Sequence, residues 1–336
     1  MRRVLAAGLV TLALLATSAV GPANACGCGA VVGPEDTPIT ASSERAIVHW
    51  NGEREVIELT FDIDSESLTA GVIVPTPTPA TVSAGDLRTF ELIESVIQPM
   101  VNVEKDWWGI DYFVPDLEPI QKDTTPRVPL SPIRTSTIAA SDAIALQAWL
   151  TLNKFVITDK MASAIESYAA YGWSFTLISL NAEDVIDGHI DPIRLTFDSN
   201  RLVYPMRLAR SEPGPQHVRL YVFDEQRDDL TQAAAPTQDV DAQIENLYAG
   251  KVQDSRLAAL GDYLSAFDVT YTDPENQVTS DIGFFDSVSN ESVTPTVTEY
   301  RPVTLLGLPV GTLIVVWSLI GILLVIGHFR GRRRAR

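Results

Sequence analysis

The sequence predicts an α+β domain, mainly antiparallel sheet with helices packed on it, followed by one C-terminal transmembrane helix. Three observations predict it. Runs of alternating apolar and polar residues, broken by turn chemistry, recur between Glu44 and Phe223. Between them lie stretches with apolar residues at helical spacing. Val303–Phe329 then runs 27 residues without a charge and meets Arg330-Gly331-Arg332-Arg333-Arg334-Ala335-Arg336 at once.

The N-terminus begins with Met1-Arg2-Arg3, a short basic region, and continues with the apolar run Val4–Leu15. That run is the length of a signal-peptide core and too short for a second span. Ala23-Asn24-Ala25 is an A-x-A cleavage site, so residues 1–25 are expected to leave, with Cys26 first in the mature chain. The twin arginine lacks the surrounding Tat consensus. A lipid anchor on Cys26 would duplicate the C-terminal span. Cys26 and Cys28 are the only cysteines. Outside the cytoplasm a disulfide between them is permitted, and thiols this close also bind metal or exchange disulfides. A redox enzyme normally presents C-x-x-C at a helix start, which this spacing is not.

Glu44–Trp50 and Arg54–Phe61 alternate apolar and polar residues around Asn51-Gly52, a strong hairpin signal. Leu68–Pro75 extends them into a three-stranded meander, and Thr76–Thr81, with its alternating prolines, is extended. Asp86–Gln98 has helical spacing and stops at Pro99. Residues 100–136 are proline-rich and pattern-poor, a long loop or insert that could divide two subdomains. Ser141–Leu152 reads as a helix capped by Ser141, and a second helix is capped by Thr158 and closed by Gly172. Trp173–Leu180, Pro192–Phe197, Leu202–Leu208 and His217–Phe223 read as strands. Asp241–Ala249 and Ser255–Phe267 carry helical patterns, and Val269–Tyr271 a short strand. The expected organisation is therefore a signal peptide (1–25), an exterior domain (26–286), a stalk (287–302) rich in Ser, Thr, Val, Glu and Pro, a span (303–329) and a basic tail (330–336).

In order along the chain, these motifs resemble one bacterial family, the domain of unknown function numbered 2330. The resemblance rests on Ala25-Cys26-Gly27-Cys28, Ser43-Glu44-Arg45, and Val74-Pro75-Thr76-Pro77. It continues through Ala148-Trp149-Leu150, Asn153-Lys154-Phe155, Tyr168 and Gly172-Trp173-Ser174-Phe175. Its most characteristic piece is Asp191-Pro192-Ile193-Arg194-Leu195 with Leu202-Val203-Tyr204-Pro205-Met206-Arg207-Leu208. It covers roughly Cys26–Phe285. It implies a secreted or membrane-anchored domain, with no established activity and no functional residues to carry over.

All 43 acidic residues lie between the signal and the span, against 18 basic ones, a formal charge of −25. Such a surface repels nucleic acid and anionic lipid headgroups. No H-E-x-x-H, G-x-S-x-G, P-loop or paired C-x-x-C motif occurs. The three histidines before the span, His49, His189 and His217, leave a site assembled only in the fold as the route to an enzyme. Asp62–Glu66 and Asp184–Asp191 gather carboxylates without the loop spacing of a calcium site. No metal and no cofactor is therefore expected. Trp107, Trp108, Tyr112 and Phe113 form a candidate platform for a partner or a glycan, or else fold back onto the core. Gly307-Leu308-Pro309-Val310-Gly311 is a weak helix-approach motif. The leading functional expectation is a non-enzymatic binding or assembly module of the cell envelope, held in the lipid bilayer with its C-terminus cytoplasmic. The rivals are an extracytoplasmic hydrolase and an accessory subunit of a membrane complex.

Overall fold

The computed structural model describes residues 27, 29–35, 37–108, 127–128, 134–139, 142–182, 185–212, 214–235, 238–305 and 307–334. The expected signal peptide, Cys26, Cys28, Tyr112 and Phe113 lie outside them. β1 (Ala30–Pro34) is followed by β2 (Ile39–Trp50) and β3 (Arg54–Ser65). β4 (Thr69–Thr76) and β5 (Thr81–Ala84) lead to α1 (Leu87–Val96). Then come β6 (Met100–Asp106), β7 (Arg127–Val128) and β8 (Arg134–Ile138). α2 (Ala143–Asn153), β9 (Phe155–Val156) and α3 (Asp159–Ala170) precede β10 (Ser174–Asn181). β11 (Gly188–Ile190), β12 (Ile193–Asp198) and β13 (Val203–Tyr204) run into the 3-10 turn Arg207–Ser211. β14 (Gln216–Asp224), β15 (Asp228–Gln232), β16 (Gln243–Lys251) and β17 (Tyr263–Tyr271) follow. α4 (Pro274–Gln277), β18 (Ile282–Asp286) and β19 (Thr296–Pro302) come next. A small hairpin, β20 (Thr304–Leu305) and β21 (Leu308–Pro309), enters α5 (Val310–Arg334).

Two sheets carry the domain. One runs β16-β17-β14-β2-β3-β11-β7, with β12 on β3 and β5 on β12. The other runs β8-β10-β4-β1-β9. Side chains alternate across a strand, and here the alternation builds four layers. Val31, Val72, Val74, Ile178 and Leu180 of the smaller sheet face Val48, Ile57, Leu59, Leu220 and Val269 of the larger one. Their neighbours Ile73, Phe175 and Leu177 point the other way, onto Leu146, Leu150, Ile165 and Tyr168 of α2 and α3. On the far side Ile47, Tyr221, Phe223 and Leu264 pack on Phe90 and Ile93 of α1. The mainly antiparallel α+β class expected from the sequence is the one observed, with parallel pairings at β2–β14 and β11–β7.

Several local expectations need correction. The three-stranded meander divides: β2 and β3 pair, but β4 crosses to the other sheet and lies between β1 and β10. The hairpin turn sits one residue later than expected. Asn51 N–H donates to the Arg54 carbonyl at 3.2 Å, so Asn51 and Arg54 flank the loop Gly52-Glu53. Gly52 takes φ +92°, and Asn51 Oδ1 accepts from the Glu53 and Arg54 amides. α2 is capped by Asp142, whose side chain accepts from Ala145 N–H; Ser141 lies outside the described residues. Leu202–Leu208 is a two-residue strand that turns into the 3-10 segment.

Neither expected helix over 241–267 forms: the first is β16, and the second is a turn over 255–260 followed by the start of β17, which also holds the expected strand Val269–Tyr271. Ile244, Leu247 and Tyr248 have the spacing i, i+3, i+4, but a register shift between Asn246 and Tyr248 in β16 produces it. β17 is central and buried on both faces, so its apolar run carries no period-2 signal. The loop expected over 100–136 contributes β6, which pairs in parallel with β19 of the expected stalk, Met100 opposite Thr296 through Asp106 opposite Pro302.

Candidate functional site

The described residues place four constellations that bear on function. The first joins the domain to α5. Val310–His328 is long and apolar enough to cross a membrane, with mean hydropathy 2.6. The expected span of 303–329 is thus shorter, because residues 304–309 are spent on the small hairpin. That also removes the helix-approach reading of Gly307–Gly311, since the motif spans the hairpin and only the first residues of α5. Gly311 N–H donates to the Trp107 carbonyl at 2.7 Å, and Val303 N–H to the Asp106 carbonyl at 2.8 Å. A Cβ on Gly311 would stand 2.7 Å from Trp108 Cα, so the glycine is what lets the two segments touch. Trp107 and Trp108 are more than half exposed and sit on the first turn of the apolar helix. They do not fold back to close the core. Above them the two-stranded ladder β6–β19 stands apart from both sheets. It exposes Met100, Val101, Val103, Val297 and Tyr300.

The second constellation explains the motif carried by residues 202–208. Asp281 is buried, and its Oδ1 accepts from Tyr168 O–H, from Met206 N–H at 2.9 Å and from Arg207 N–H at 3.3 Å. Its Oδ2 accepts from Arg207 Nε at 2.9 Å. The Arg207 guanidinium lies 3.9 Å from the centre of the Tyr168 ring, 4.8 Å from Tyr171 and 5.5 Å from Trp173. Burial, then the Asp281 charge, push the Tyr168 phenol well above its usual range. Next to it, Tyr204 O–H donates to Glu44, itself buried. A Cβ on Gly27 would meet Met206 and Glu44. Residues quoted for the resemblance from four parts of the chain therefore meet in one buried polar clasp.

The third constellation is where a hydrolase would be sought. The two acidic stretches meet where β11 pairs with β3, with His189 opposite Asp62. His189 Nδ1 is 2.8 Å from Asp62 Oδ1, and Nε2 is 2.9 Å from Thr60 Oγ1. That is the order nucleophile, base, carboxylate. The surroundings do not suit catalysis. Thr60 has no exposure and His189 has 4%. The Thr60 hydroxyl donates to the Ile190 carbonyl at 2.7 Å, and Arg45 lies 3.2 Å from Nε2. Surface hollows of about 170, 280 and 360 Å³ are lined by other residues. His49, half-buried in β2, is pushed down to about 4 by desolvation and by the Arg194 charge. His217 of β14 stands 3.4 Å from Asp268 on the neighbouring strand β17.

The fourth lies where β14 leaves the large sheet and the chain turns into β15 beside β18. Asp224, Asp228 and Asp286 each bring a carboxylate oxygen within 4.8 Å of the other two. Asp228 is 2% exposed, and its Oδ2 has no hydrogen-bond partner. Burial, then the charges of Asp224, Asp286 and Asp229, push the Asp228 carboxyl up to about 8. Sequence reading passed over this group because its members end or begin three separate strands, 62 residues apart at the widest.

A two-sheet domain flanked by helices and carrying one apolar C-terminal helix is the class these features define. The chain belongs to the family described as an uncharacterized protein conserved in bacteria (DUF2330), whose model matches residues 22–285. No curated protein matches it. Among solved structures it is similar to baculovirus P35, with TM-score 0.35 and 9% identity over 76% of this chain and 95% of that one. A likeness that faint carries no argument.

Proposed function

We propose that the chain is a single-pass membrane protein whose domain lies outside the cytoplasm and works as a non-enzymatic binding or assembly module of the cell envelope. The observation that carries the reading is the junction at α5. The apolar stretch Val310–His328 is about 28 Å long at the helical rise, close to a bilayer's hydrocarbon thickness. Arginines at 330 and 332–334 follow it in the same helix, and such charges favour the cytoplasmic side. Trp107 and Trp108 stand at its other end, where indoles favour the membrane–water interface.

Binding is preferred to catalysis because the β6–β19 ladder and the tryptophan pair are exposed, while the triad-like arrangement at His189 is buried. The β6–β19 ladder presents two open strand edges and exposed apolar side chains beside the membrane. Such a ribbon suits an extended segment of another envelope protein, added as a further strand. Protease added to intact cells should digest the domain and spare a small C-terminal fragment. Complete protection, with digestion only after the cytoplasmic face is opened, would reverse the topology. A photo-crosslinking residue at Val103 should give a discrete protein adduct that the same residue at Ile144, on the far side of the domain, does not. Equal labelling from both sites would remove the binding role.

A further inference from the structure

We propose that Asp224, Asp228 and Asp286 form a site for a hard divalent cation, calcium in preference to magnesium. The ligand set is all oxygen, with no histidine or cysteine, which selects hard cations. Three carboxylate oxygens within 4.8 Å of one another fit one coordination sphere. Calcium–oxygen distances of about 2.4 Å place opposite ligands about 4.8 Å apart. Magnesium, at about 2.1 Å, needs a tighter and nearly octahedral set.

Convergence of acids alone would not make a site. The second observation is the buried Asp228, whose Oδ2 finds no donor. A buried carboxylate oxygen normally has a partner. The charges that act on it are those of Asp224, Asp286 and Asp229, all of the same sign. Arg227, in the same turn, is directed elsewhere, to Asp229 at 3.7 Å and to the Glu291 carbonyl at 3.3 Å. A bound cation supplies the missing partner and offsets the repulsion.

The frame that holds these groups is rigid. Asp228 and Asp286 are cross-strand partners of β15 and β18. Asp228 N–H donates to Ser265 Oγ at 3.0 Å. Asp224 Oδ1 accepts the Glu225 amide at 2.7 Å, and the Asp224 carbonyl accepts Asp262 N–H at 3.0 Å. Ser287 N–H closes on the Arg227 carbonyl at 2.8 Å. Asp224 is partly open and Asp286 exposed, so the ion can enter from solvent and keep water on its outer side. Three protein carboxylates with water completing the shell fit the weak affinity of extracellular calcium modules, about 10⁻⁴–10⁻³ M.

The test is equilibrium dialysis of the full chain in detergent against radioactive calcium, at constant ionic strength. One calcium per chain is expected, with a dissociation constant of about 10⁻⁴–10⁻³ M. Asp228→Asn should weaken it about tenfold or more, while Asp62→Asn leaves it unchanged. In chelator Asp228→Asn should melt no lower than the native chain, which shows that it folds. Millimolar calcium should then raise the melting temperature of the native chain and not that of the variant. No binding by the native chain at millimolar calcium would overturn the proposal. So would equal binding by the native chain and Asp228→Asn, which would mean diffuse attraction to an acidic surface. Equal affinity for magnesium would overturn the preference for calcium.

Discussion

Replacing Asp281 by alanine should cost the domain about 3–5 kcal/mol. The figure follows from what the carboxylate serves. Arg207 is 11% exposed at its side chain and has Asp281 as its recorded ion-pair partner. Breaking a buried pair by removing one member costs about 3–5 kcal/mol, because the other charge stays desolvated. Tyr168 O–H and Met206 N–H lose their acceptor as well. Both residues are essentially unexposed, and each orphaned donor is worth about 1–3 kcal/mol before relaxation. The terms are not additive, since Arg207 keeps the Tyr168 ring and water can enter, so the lower range is the expectation. A domain with about 5–15 kcal/mol in hand would survive with a much lower midpoint. The assay is urea unfolding of the full chain in detergent, followed by tryptophan fluorescence, since Trp173 stacks on Tyr168 at 4.9 Å. Asp281→Asn, which keeps one acceptor, should fall between the two. Arg207→Met should cost clearly less in the Asp281→Ala background than in the native chain. A loss below about 1 kcal/mol for Asp281→Ala, or no coupling with Arg207, would refute the view that the clasp ties α3, the 3-10 turn and β18 together.

Gly52→Val should destabilise by about 1–2 kcal/mol through backbone strain alone, since φ is +92° and a Cβ there meets nothing within 4 Å. An unchanged urea midpoint would show that the turn relaxes freely. Glu55 is fully buried, and burial raises its carboxyl well above its usual range. Its contribution to stability is therefore complete below the unfolded value near 4.5 and is lost as pH rises toward the folded value. Glu55→Gln keeps an acceptor for Val203 N–H and removes the unpaired Oε2, so it should raise the melting temperature at pH 8 and hardly at pH 4. Equal shifts at both would exclude titration as the cause. Gly311→Leu should drive Trp107 and Trp108 off the helix start. Quenching of tryptophan fluorescence by brominated lipids should then fall to the level of a Trp107→Phe/Trp108→Phe double variant; native-level quenching would place the indoles away from the bilayer.

How much of this was legible depended on whether the signal was local. α1 and α3 announced themselves through Asp86, Thr158 and an apolar stripe, because caps and helical spacing are short-range. The hairpin was visible in Asn51-Gly52, although which residue takes positive φ depends on how the Asn51 side chain bonds. Of strand β17 only the end, Val269–Tyr271, was visible, since burial on both faces blurs the alternation of the rest. The exit of β4 to a second sheet was not visible, because a single strand does not encode its neighbours. The sites follow the same division. Trp107 and Trp108 stood out as a pair, but their place against Gly311 depends on two segments 200 residues apart. The three aspartates were hidden among 43 acids, with no spacing to mark them.

The parallel pairing of β6 with β19 changes what the approach to the membrane is mechanically. Sixteen residues of loose polar chain would act as an entropic spring, with an end-to-end distance of about 20–24 Å that fluctuates by a comparable amount. Seven of them locked in a ladder span nearly the same height, about 23 Å, but as a strut. Tilting the strut shears β6, whose other end continues from α1 and whose next residue, Trp107, holds Gly311 of α5 through its carbonyl. Torque on α5 is therefore delivered to the sheet-packed α1 rather than lost in slack. With α5 in a bilayer, as proposed, the domain would be set at a fixed height and bearing over it, as a lever and not as a float.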